Sequence, residues 1–302
     1  MTFGTEPLSD ASSVAWEKLG HLGESESIAG TFGRGEQVAV VHTRGESCFL
    51  RVWRPGSESY ETSCGQGSAL NADVTETLAA VNVWHEGEHR LMVSEDHHTW
   101  RDAGVVPHND VVSVRIVANN VWVLGANHLS VLDGRLWREL PLPCALDASR
   151  DRIFPVGIDG RTAALTSGSV IYLARSGQRW ARRPVEATAV HVVTGDFLAA
   201  TRYGRPWMGR FAGPLVEWIA EAQGVGTPVS LGTDATGFQL VIFPPDPFLT
   251  GGPIRTLWRA GQPSETFVLH VPTDLRRFAI WGSRGFVAVT NQRDVVVCGW
   301  PS

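Results

Sequence analysis

The chain has 302 residues, of which 43% are hydrophobic and 19% charged, and its formal net charge is -5 at pH 7. This hydrophobic content excludes a largely disordered chain, and the acidic balance argues against a nucleic-acid partner, whose binding surfaces usually carry a basic excess. No apolar run reaches the roughly 18 residues of a membrane helix, and the N-terminal residues lack the features of a secretory signal. We therefore expect a cytoplasmic protein that has no membrane partner.

Residue usage narrows the class further. Lys18 is the single lysine among 26 basic residues, which is typical of a high-GC bacterial genome. The four cysteines include no CxxC pair, so neither a zinc ribbon nor a disulfide framework is predicted. Neither a glycine-rich phosphate loop nor a GxSxG nucleophile motif occurs in the sequence. No cofactor is predicted, apart from a divalent metal considered below.

An aromatic residue recurs along the chain, each time close to a predicted turn. Its positions are Tyr60, Trp100, Trp137, Trp180, Trp218 and Phe267. The gaps between them are 40, 37, 43, 38 and 49 residues. This degenerate period matches the roughly 40–45 residues of a four-stranded propeller blade.

Each repeat unit reads as short strands separated by turns. In the unit that contains Trp100, the strands are "TLAAVNVW", "HRLMVS" and "TWRDAG", and the turns are "HEGE" and "EDHH". β-Branched and apolar runs of this length, punctuated by turn residues, predict β-strands. The last unit, "RRFAIWGS", "GFVAVTNQR" and "DVVVCGW", lacks an aromatic fourth strand. The N-terminal segment "SSVAWEKLGHL" supplies one, with Trp16 as its aromatic residue.

These observations predict a single all-β domain over residues 1–302, a seven-bladed β-propeller. An N-terminal strand at about 12–20 is expected to pair with the C-terminal blade at about 275–302, which closes the ring and leaves no long exposed sheet edge. Six or eight blades stay possible, because the segment around 223–255 is irregular.

The segment "SEDHHTW", residues 94–100, resembles the Asp-box of sialidase-like (BNR-repeat) propellers. That family's pattern is Ser-x-Asp-x-Gly-x-Thr-Trp, and His98 stands where the family has glycine. The resemblance implies a propeller fold, in which the box is a folding device. Asp96 is therefore expected to accept backbone hydrogen bonds that hold the turn, while Trp100 packs between sheets.

Sialidase chemistry is not expected from this resemblance. The family's enzymes use three arginines, a Tyr–Glu nucleophile pair and an aspartate. The chain has three tyrosines, and Tyr60 and Tyr172 fall in predicted third or outer strands, away from the axis. The family's N-terminal Arg-Ile-Pro signature is missing as well.

The motif "HEGEH", residues 85–89, matches the His-Glu-x-x-His pattern of zinc proteases. That chemistry needs a helix, whereas Gly87 and the β-rich flank favour a hairpin. A second hypothesis remains: if the hairpin loop has three residues, His85 and His89 pair across the strands on one face. They would then hold a divalent metal together with His108 or Asp110.

Ligand-binding residues are predicted on the propeller face where second-to-third-strand hairpins meet the connections between blades. The hairpin "TRYGRPW" interleaves Arg202 and Arg205 with Tyr203 and Trp207. Guanidinium groups and aromatic planes suit a carboxylate, a sugar or a planar ring. His108, in a connection between blades, is a further ligand-binding candidate.

Two residues of predicted first strands are candidates near the axis. His191 in "ATAVHVV" is either buried and hydrogen-bonded or, if it points into the channel beside Arg115, the best acid–base group. Arg115 in "VVSVRIV" would then bind the ligand. His85 is the second catalytic candidate.

Two functions follow from this inventory. The first is a binding module that holds a small molecule, glycan or peptide on the loop face around the central channel. The alternative is a small-molecule enzyme of specialised metabolism, a lyase, cyclase or hydrolase, with its active site in the same place. In the enzyme, His191 or the pair of His85 and His89 would act as base, and Arg202 with Arg205 would hold an anion.

Overall fold

A computed structural model describes the protein over residues 15–23, 27–54, 57–145, 152–156, 162–175, 179–194, 196–212, 215–221, 227–234, 237–243, 254–257, 266–269, 275–281 and 284–299. Over 152–156, 227–234, 237–243, 254–257 and 266–269 the description is of the backbone alone. No helix in these ranges has the length and apolar character needed to cross a membrane.

The described residues form seven four-stranded antiparallel sheets, here numbered I to VII. Sheet I contains β2 (Ser27–Arg34), β3 (Gln37–Arg44), β4 (Ser47–Trp53) and β5 (Tyr60–Gln66). Sheet II contains β6 (Ser68–Val74), β7 (Ala79–His85), β8 (Glu88–Ser94) and β9 (Arg101–Val105). Sheet III contains β10 (Val111–Val117), β11 (Asn120–Gly125), β12 (Leu129–Asp133) and β13 (Leu136–Leu140). Sheet IV contains β14 (Arg152–Val156), β15 (Thr162–Ser167), β16 (Val170–Arg175) and β17 (Ala181–Pro184).

The remaining three sheets continue the pattern. Sheet V contains β18 (Ala189–Thr194), β19 (Phe197–Arg202), β20 (Arg205–Ala212) and β21 (Leu215–Glu221). Sheet VI contains β22 (Thr227–Asp234), β23 (Gly237–Phe243), β24 (Ile254–Leu257) and β25 (Thr266–Leu269). Sheet VII contains β26 (Leu275–Trp281), β27 (Gly285–Thr290), β28 (Asp294–Gly299) and β1 (Glu17–His21).

The first strands of the sheets contact one another in a cycle. β2 contacts β6, the contacts continue through β10, β14, β18 and β22 to β26, and β26 contacts β2. β1 lies antiparallel beside β28, with Glu17 opposite Val297 and His21 opposite Asp294. The N-terminal strand thus occupies the outer position of sheet VII, where the sequence predicts the closing strand.

The hydrophobic core lies between adjacent sheets. The second strands whose side chains are described are buried along most of their length, as the run "VAVV" of β3 shows, because neighbouring sheets cover both of their faces. One core cluster joins sheet I to sheet II through Val41, Leu50 and Val81. Continuous apolar runs in second strands and mixed patterns in outer strands follow from this layering.

Tryptophans at the outer strands of sheets II, III and IV connect each of these sheets to the one before it. The indole Nε1 of Trp100 donates to Thr62 Oγ1 in sheet I at 3.1 Å, and that of Trp137 donates to the Ala103 carbonyl in sheet II at 3.3 Å. Trp180 makes the same kind of bond to the connection after β13. Their rings also pack on the core clusters between sheets. In sheets II, III and IV the repeated aromatic residue is therefore an inter-sheet wedge with a polar anchor.

The "SEDHHTW" turn is held by Asp96. Its Oδ1 accepts the backbone N–H groups of His98 at 2.8 Å and Thr99 at 2.6 Å, and the Ser94 hydroxyl at 3.1 Å. The Thr99 and His98 N–H groups hold the pKa of the Asp96 carboxyl well below its ordinary value. The predicted turn-holding role of Asp96 is confirmed.

The details of this turn depart from the family's box. The positive φ of 63° belongs to His97, whereas the sequence comparison assigns the glycine position to His98. Two residues separate Asp96 from Thr99, whereas the family's pattern has three. The turn is therefore one residue shorter, which moves the left-handed position by one.

Six of the seven first strands described carry a β-bulge close to their first residue. The bulged residues are Ala29, Leu70, Val112, His191, Val229 and Arg276. A bulge bends the strand and re-aims a side chain, and bulges are frequent beside functional sites. The equivalent placement in six sheets marks one end of the ring as structurally distinct.

Replacing Trp100 by alanine should lower the free energy of unfolding by about 2–4 kcal/mol, because the wedge and its cavity are both lost. Urea denaturation of the variant measures this loss. Leu136→Ala is the control, since Leu136 is 73% exposed and its truncation should change stability by less than about 0.5 kcal/mol. Equal losses in the two variants would contradict the wedge role.

Replacing Asp96 by asparagine should make the melting temperature of the protein less dependent on pH in the acidic range. The folded-state pKa of Asp96 is lowered, so its stabilisation is fully present above the unfolded pKa of about 4 and is lost progressively as the pH falls from there toward the lower folded-state pKa. Melting temperatures of wild type and Asp96→Asn, recorded from pH 6 to pH 2.5, should converge at low pH. Parallel curves would show that Asp96 carries no such linkage.

Candidate functional site

One end of the ring collects the turns between second and third strands and the connections between sheets. We call this end the loop face; the antiparallel order of each sheet places these segments together. The predicted residues His108, Tyr203 and Arg205 all lie there. The bulged first-strand residues lie near the same end. The loop face is where the described chain concentrates polar side chains that the core does not use.

The connection between sheets II and III carries a histidine–carboxylate pair, in which the His108 ring is buried and the Asp110 side chain is 34% exposed. Nδ1 of His108 lies 3.0 Å from Oδ1 of Asp110, but the contact lacks hydrogen-bond geometry. Both ring nitrogens of His108 and Oδ1 of Asp110 are buried atoms, and their contacts with each other and with the Val123 backbone form no well-aligned hydrogen bond. The other carboxylate oxygen accepts the Asn127 backbone N–H at 3.1 Å, which fixes the carboxylate. Buried polar atoms without partners are rare and mark sites with unused bonding capacity.

Two further histidines border this pair. The His128 ring stacks on His108 with centroids 5.5 Å apart, and its Nδ1 lies 3.2 Å from Glu139. His89 is anchored by the Asn82 side chain at 3.1 Å on the neighbouring sheet. Unlike His108, His128 is about half exposed. The half-exposed ring covers the buried one and is the member of the stack that a ligand from solvent meets first.

An exposed indole lies on the sheet II side of the cluster. Trp84 makes an edge contact with the His89 ring at 4.8 Å and is 42% exposed. The loop face between sheets II and III, here the II/III mouth, therefore combines an apolar plane with a histidine–carboxylate pair. This is the composition of a small-molecule site: an apolar surface with a few placed polar groups.

Gly125 makes the pair possible. A Cβ at this position would lie 2.4 Å from Asp110 Oδ1 and 2.7 Å from His108 Nδ1. The backbone at the end of β11 thus lies directly against both side chains. With any residue other than glycine at position 125, the Cβ atom would occupy the space that these two side chains fill.

Burial sets the charge states at the II/III mouth. Burial lowers the pKa of His108, an effect larger than the opposing attraction of Asp110, and burial lowers the pKa of His89 as well. Burial acts to raise the pKa of Asp110, but the backbone N–H of Asn127 and the His108 ring together hold it below its ordinary value. At neutral pH the pair is a neutral imidazole beside an ionised carboxylate, the charge state of a general base with its orienting group.

The predicted hairpin residues come together in sheet V, but their charges are already paired. Arg202 donates to the Glu186 side chain and lies over the rings of Tyr203 and Trp207. Arg205 pairs with the Glu221 carboxylate. The predicted clustering of these residues is present. An anionic ligand would have to compete with Glu186 and Glu221 for the two guanidinium groups. The ligand-binding roles of these four residues stay predictions.

The first-strand candidates lie apart from each other. His191 is the bulged residue of β18, half-buried, with Nε2 2.8 Å from Thr201 Oγ1, and burial lowers its pKa. Arg115 belongs to β10 and donates to the Val114 carbonyl. Sheets III and V are separated by sheet IV, so the described contacts do not join the two residues. Their catalytic and binding roles stay predictions.

The condition for a pair of His85 and His89, a three-residue loop in the "HEGEH" hairpin, is not met. Glu86 and Gly87 form a two-residue turn with φ of 50° and 85°, so His85 pairs with Glu88 and Trp84 pairs with His89. One residue of register moves a side chain to the other face, so His85 and His89 do not share one. In the described part of the chain, no group of three or more His, Cys, Asp or Glu is arranged to hold a metal. The divalent-metal hypothesis and the catalytic role of His85 stay untested.

Several residues of the II/III mouth do not stand out in the sequence. The inferred strands place Asp110 and His128 on the loop face among many other polar residues, and nothing in the sequence points to Trp84 or Glu139. The signal in the sequence is the pair of short polar runs "PHND" and "GANH" on either side of a first hairpin. Their meeting depends on the hairpin register, which places Gly125 opposite Val111 at the start of β10.

Solved structures with the same fold are β-propellers. Virginiamycin B lyase from Staphylococcus aureus is 10% identical, with a TM-score of 0.68 over 96% of this chain and 100% of that chain. A streptogramin B lyase is 10% identical, with a TM-score of 0.67 over 94% and 97%. The WD40 propeller domain of Doa1 is 11% identical, with a TM-score of 0.62 over 96% and 98%.

The sequence matches no protein-family model and no curated protein. Identities near 10% show the fold alone. The chain therefore has an all-β fold of four-stranded antiparallel sheets like those of β-propellers. The resemblance to sialidase-like proteins is supported as far as this fold and no further.

Replacing Gly125 by alanine should disturb the II/III mouth selectively. The new Cβ displaces Asp110 or His108, so the carboxylate no longer faces the ring and the NMR titration of His108 should shift. Gly299→Ala is the control, because its added Cβ meets only one atom, at 3.9 Å. An unchanged His108 titration in Gly125→Ala would contradict the close approach.

The protein should be less stable at pH 5 than at pH 7. Burial lowers the folded-state pKa of five histidines: His42, His89, His97, His108 and His191. The unfolded chain then binds more protons than the folded chain, so stability is lost as the pH falls through about 6.5. Urea denaturation at both pH values measures the loss, which His191→Asn should reduce. Equal or greater stability at pH 5 would contradict this expectation.

Proposed function

We propose that this chain is a seven-bladed, ring-closed β-propeller that binds a small organic ligand on its loop face, at the II/III mouth. The seven sheets, the cycle of first-strand contacts and the pairing of β1 with β28 support the blade number and the closure. In this arrangement the loop face surrounds the axis, and the II/III mouth opens onto it.

The observation that carries the proposal is the unused bonding capacity of His108 and Asp110. Three of their polar atoms are buried without a well-aligned hydrogen bond, which costs free energy unless a group from outside supplies better ones. The exposed ring of Trp84 offers an apolar plane beside them. A ligand with a flat or apolar body and a hydrogen-bonding head satisfies both requirements. Small heterocycles, glycans and short peptides carry such heads.

The fold supports this proposal without specifying the ligand. WD40 domains and lyases both use it, and one lyase structure is described as a complex with quinupristin. A loop face that holds a small molecule is therefore compatible with the architecture, as is one that docks a protein.

The binding proposal is tested by screening ligands against the purified protein, with thermal shift followed by calorimetry. Asp110→Asn should weaken any ligand found by about 10- to 100-fold, because a hydrogen bond to a charged group is worth about 1.5–3 kcal/mol. Asp133→Asn is the matched control: Asp133 is a carboxylate of the same sheet at the opposite end of β12, paired with Arg138. Equal affinities in the two variants would place the ligand elsewhere.

An enzyme is the second candidate, and the charge state of the pair favours it. A neutral His108 beside an ionised Asp110 is in the protonation state that a general base needs for the proton-abstraction step of a lyase. Virginiamycin B is the first substrate to assay, by chromatography and mass spectrometry. The binding proposal expects it to be recovered unchanged; loss that depends on protein concentration and disappears in Asp110→Asn would favour the enzyme.

A further inference from the structure

Sheet V contains an aromatic box whose occupant is a side chain of the protein itself. The guanidinium carbon of Arg202 lies 4.6 Å from the Tyr203 ring centroid, 5.2 Å from that of Trp207 and 5.0 Å from that of Trp218. A cation within about 6 Å of an aromatic face is attracted by the ring quadrupole. Three aromatic rings therefore contact one cation. The sequence predicts Trp218 only as one of the repeated outer-strand aromatic residues.

A carboxylate forms the remaining wall of the box. Nε of Arg202 donates to the Glu186 carbonyl at 3.0 Å, and its terminal nitrogen lies 3.2 Å from the Glu186 carboxylate. Glu186 lies in the connection between sheets IV and V, and the rings come from β20, β21 and the turn between β19 and β20. The box therefore lies at the loop face between these sheets, apart from the II/III mouth.

The sheet, and not the arginine, arranges the rings. Trp207 pairs with Glu221 and Ala200 in the ladders of β20, and its ring meets Trp218 edge-on, with centroids 6.1 Å apart at 81°. These contacts do not involve Arg202. Removal of the Arg202 side chain should therefore leave the positions of the Trp207 and Trp218 rings unchanged.

The Arg202 side chain is 16% exposed, but the groups at the outer edge of the box are open to solvent. Arg202 is the last residue of β19, beside a two-residue turn in which Tyr203 has a φ of 51° and Gly204 a φ of 75°. The Glu186 side chain is 82% exposed, so solvent screens the ion pair that holds the guanidinium. The Tyr203 ring is 78% exposed and forms the outer wall. Movement of one flexible side chain thus opens the box to solvent.

The same hairpin position in sheet I shows that an arginine there does not require such a box. Arg44 is the last residue of β3, as Arg202 is of β19. Arg44 lies over the Phe49 ring at 4.3 Å and pairs with Glu61 at 2.8 Å. One ring and one carboxylate hold it. The two additional rings at Arg202 are therefore unexplained by the need to place an arginine at this turn.

We propose that the box is a binding site for an organic cation, a guanidinium or methylated ammonium group, and that Arg202 is an internal occupant that the ligand displaces. This inference goes beyond the proposed function, since it concerns another pair of sheets and the opposite ligand charge from that predicted for Arg202. An internal occupant that fills the box in at least about 90% of molecules lowers the apparent affinity tenfold or more.

The test uses tetramethylammonium chloride as the probe, titrated at constant ionic strength and followed by tryptophan fluorescence and calorimetry. Arg202→Ala should bind the probe at least tenfold more tightly than wild type. Arg44→Ala, the matched control from sheet I, should bind it no better than wild type. The double variant Arg202→Ala/Trp218→Ala should lose the gain.

Circular dichroism and melting temperature establish that each variant is folded. If Arg202→Ala does not fold, Arg202→Gln replaces it, because glutamine keeps a donor for the Glu186 carbonyl. A folded Arg202 variant that binds the probe no better than Arg44→Ala overturns the proposal, as does a gain that persists without Trp218. Neither result bears on the II/III mouth, whose ligand should bind Arg202→Ala with unchanged affinity.

Discussion

The structure depends on a single packing constraint: each four-stranded sheet is apolar on both faces and must be covered twice. A sheet can meet this demand only with two neighbours, so the row of sheets has to return on itself. β1 completes this return by pairing with β28. Outer-strand indoles such as Trp100 and Trp137 hold adjacent sheets at their wide edges, where apolar strand residues alone would leave space.

Because of this constraint, the residues that stabilise the fold differ from the residues that form the loop face. Because the apolar rows and wedges lie between sheets, the turns at one end are free to carry polar groups that serve no packing purpose. Two mouths use this freedom differently. Between sheets II and III, His108 and Asp110 keep unused bonding capacity under a stacked ring. Between sheets IV and V, Arg202 fills an aromatic box and is fully engaged by its own chain.

Electrostatics at the loop face differ from what the residue types alone indicate. Arg202 and Arg205 of sheet V are paired with Glu186 and Glu221, so these two arginines are not a free anion-binding surface. Histidines such as His108 and His191 are neutral at physiological pH because burial lowers their pKa. Among the described residues of the loop face, these arginines are therefore internally paired and these histidines neutral, which favours polar, uncharged or cationic ligands over anions at these positions.

The sequence by itself determined the architecture, because the outer-strand aromatic recurs once per sheet and its period survives variation in the turns. It also determined the role of Asp96, whose partners lie within three residues. Tertiary structure alone decided the sites. The relation of His85 to His89 turned on one residue of hairpin register, and the pairing of His108 with Asp110 required the close approach of Gly125. Such contacts are set by how strands align, and a strand's alignment depends on its neighbours as much as on its own residues.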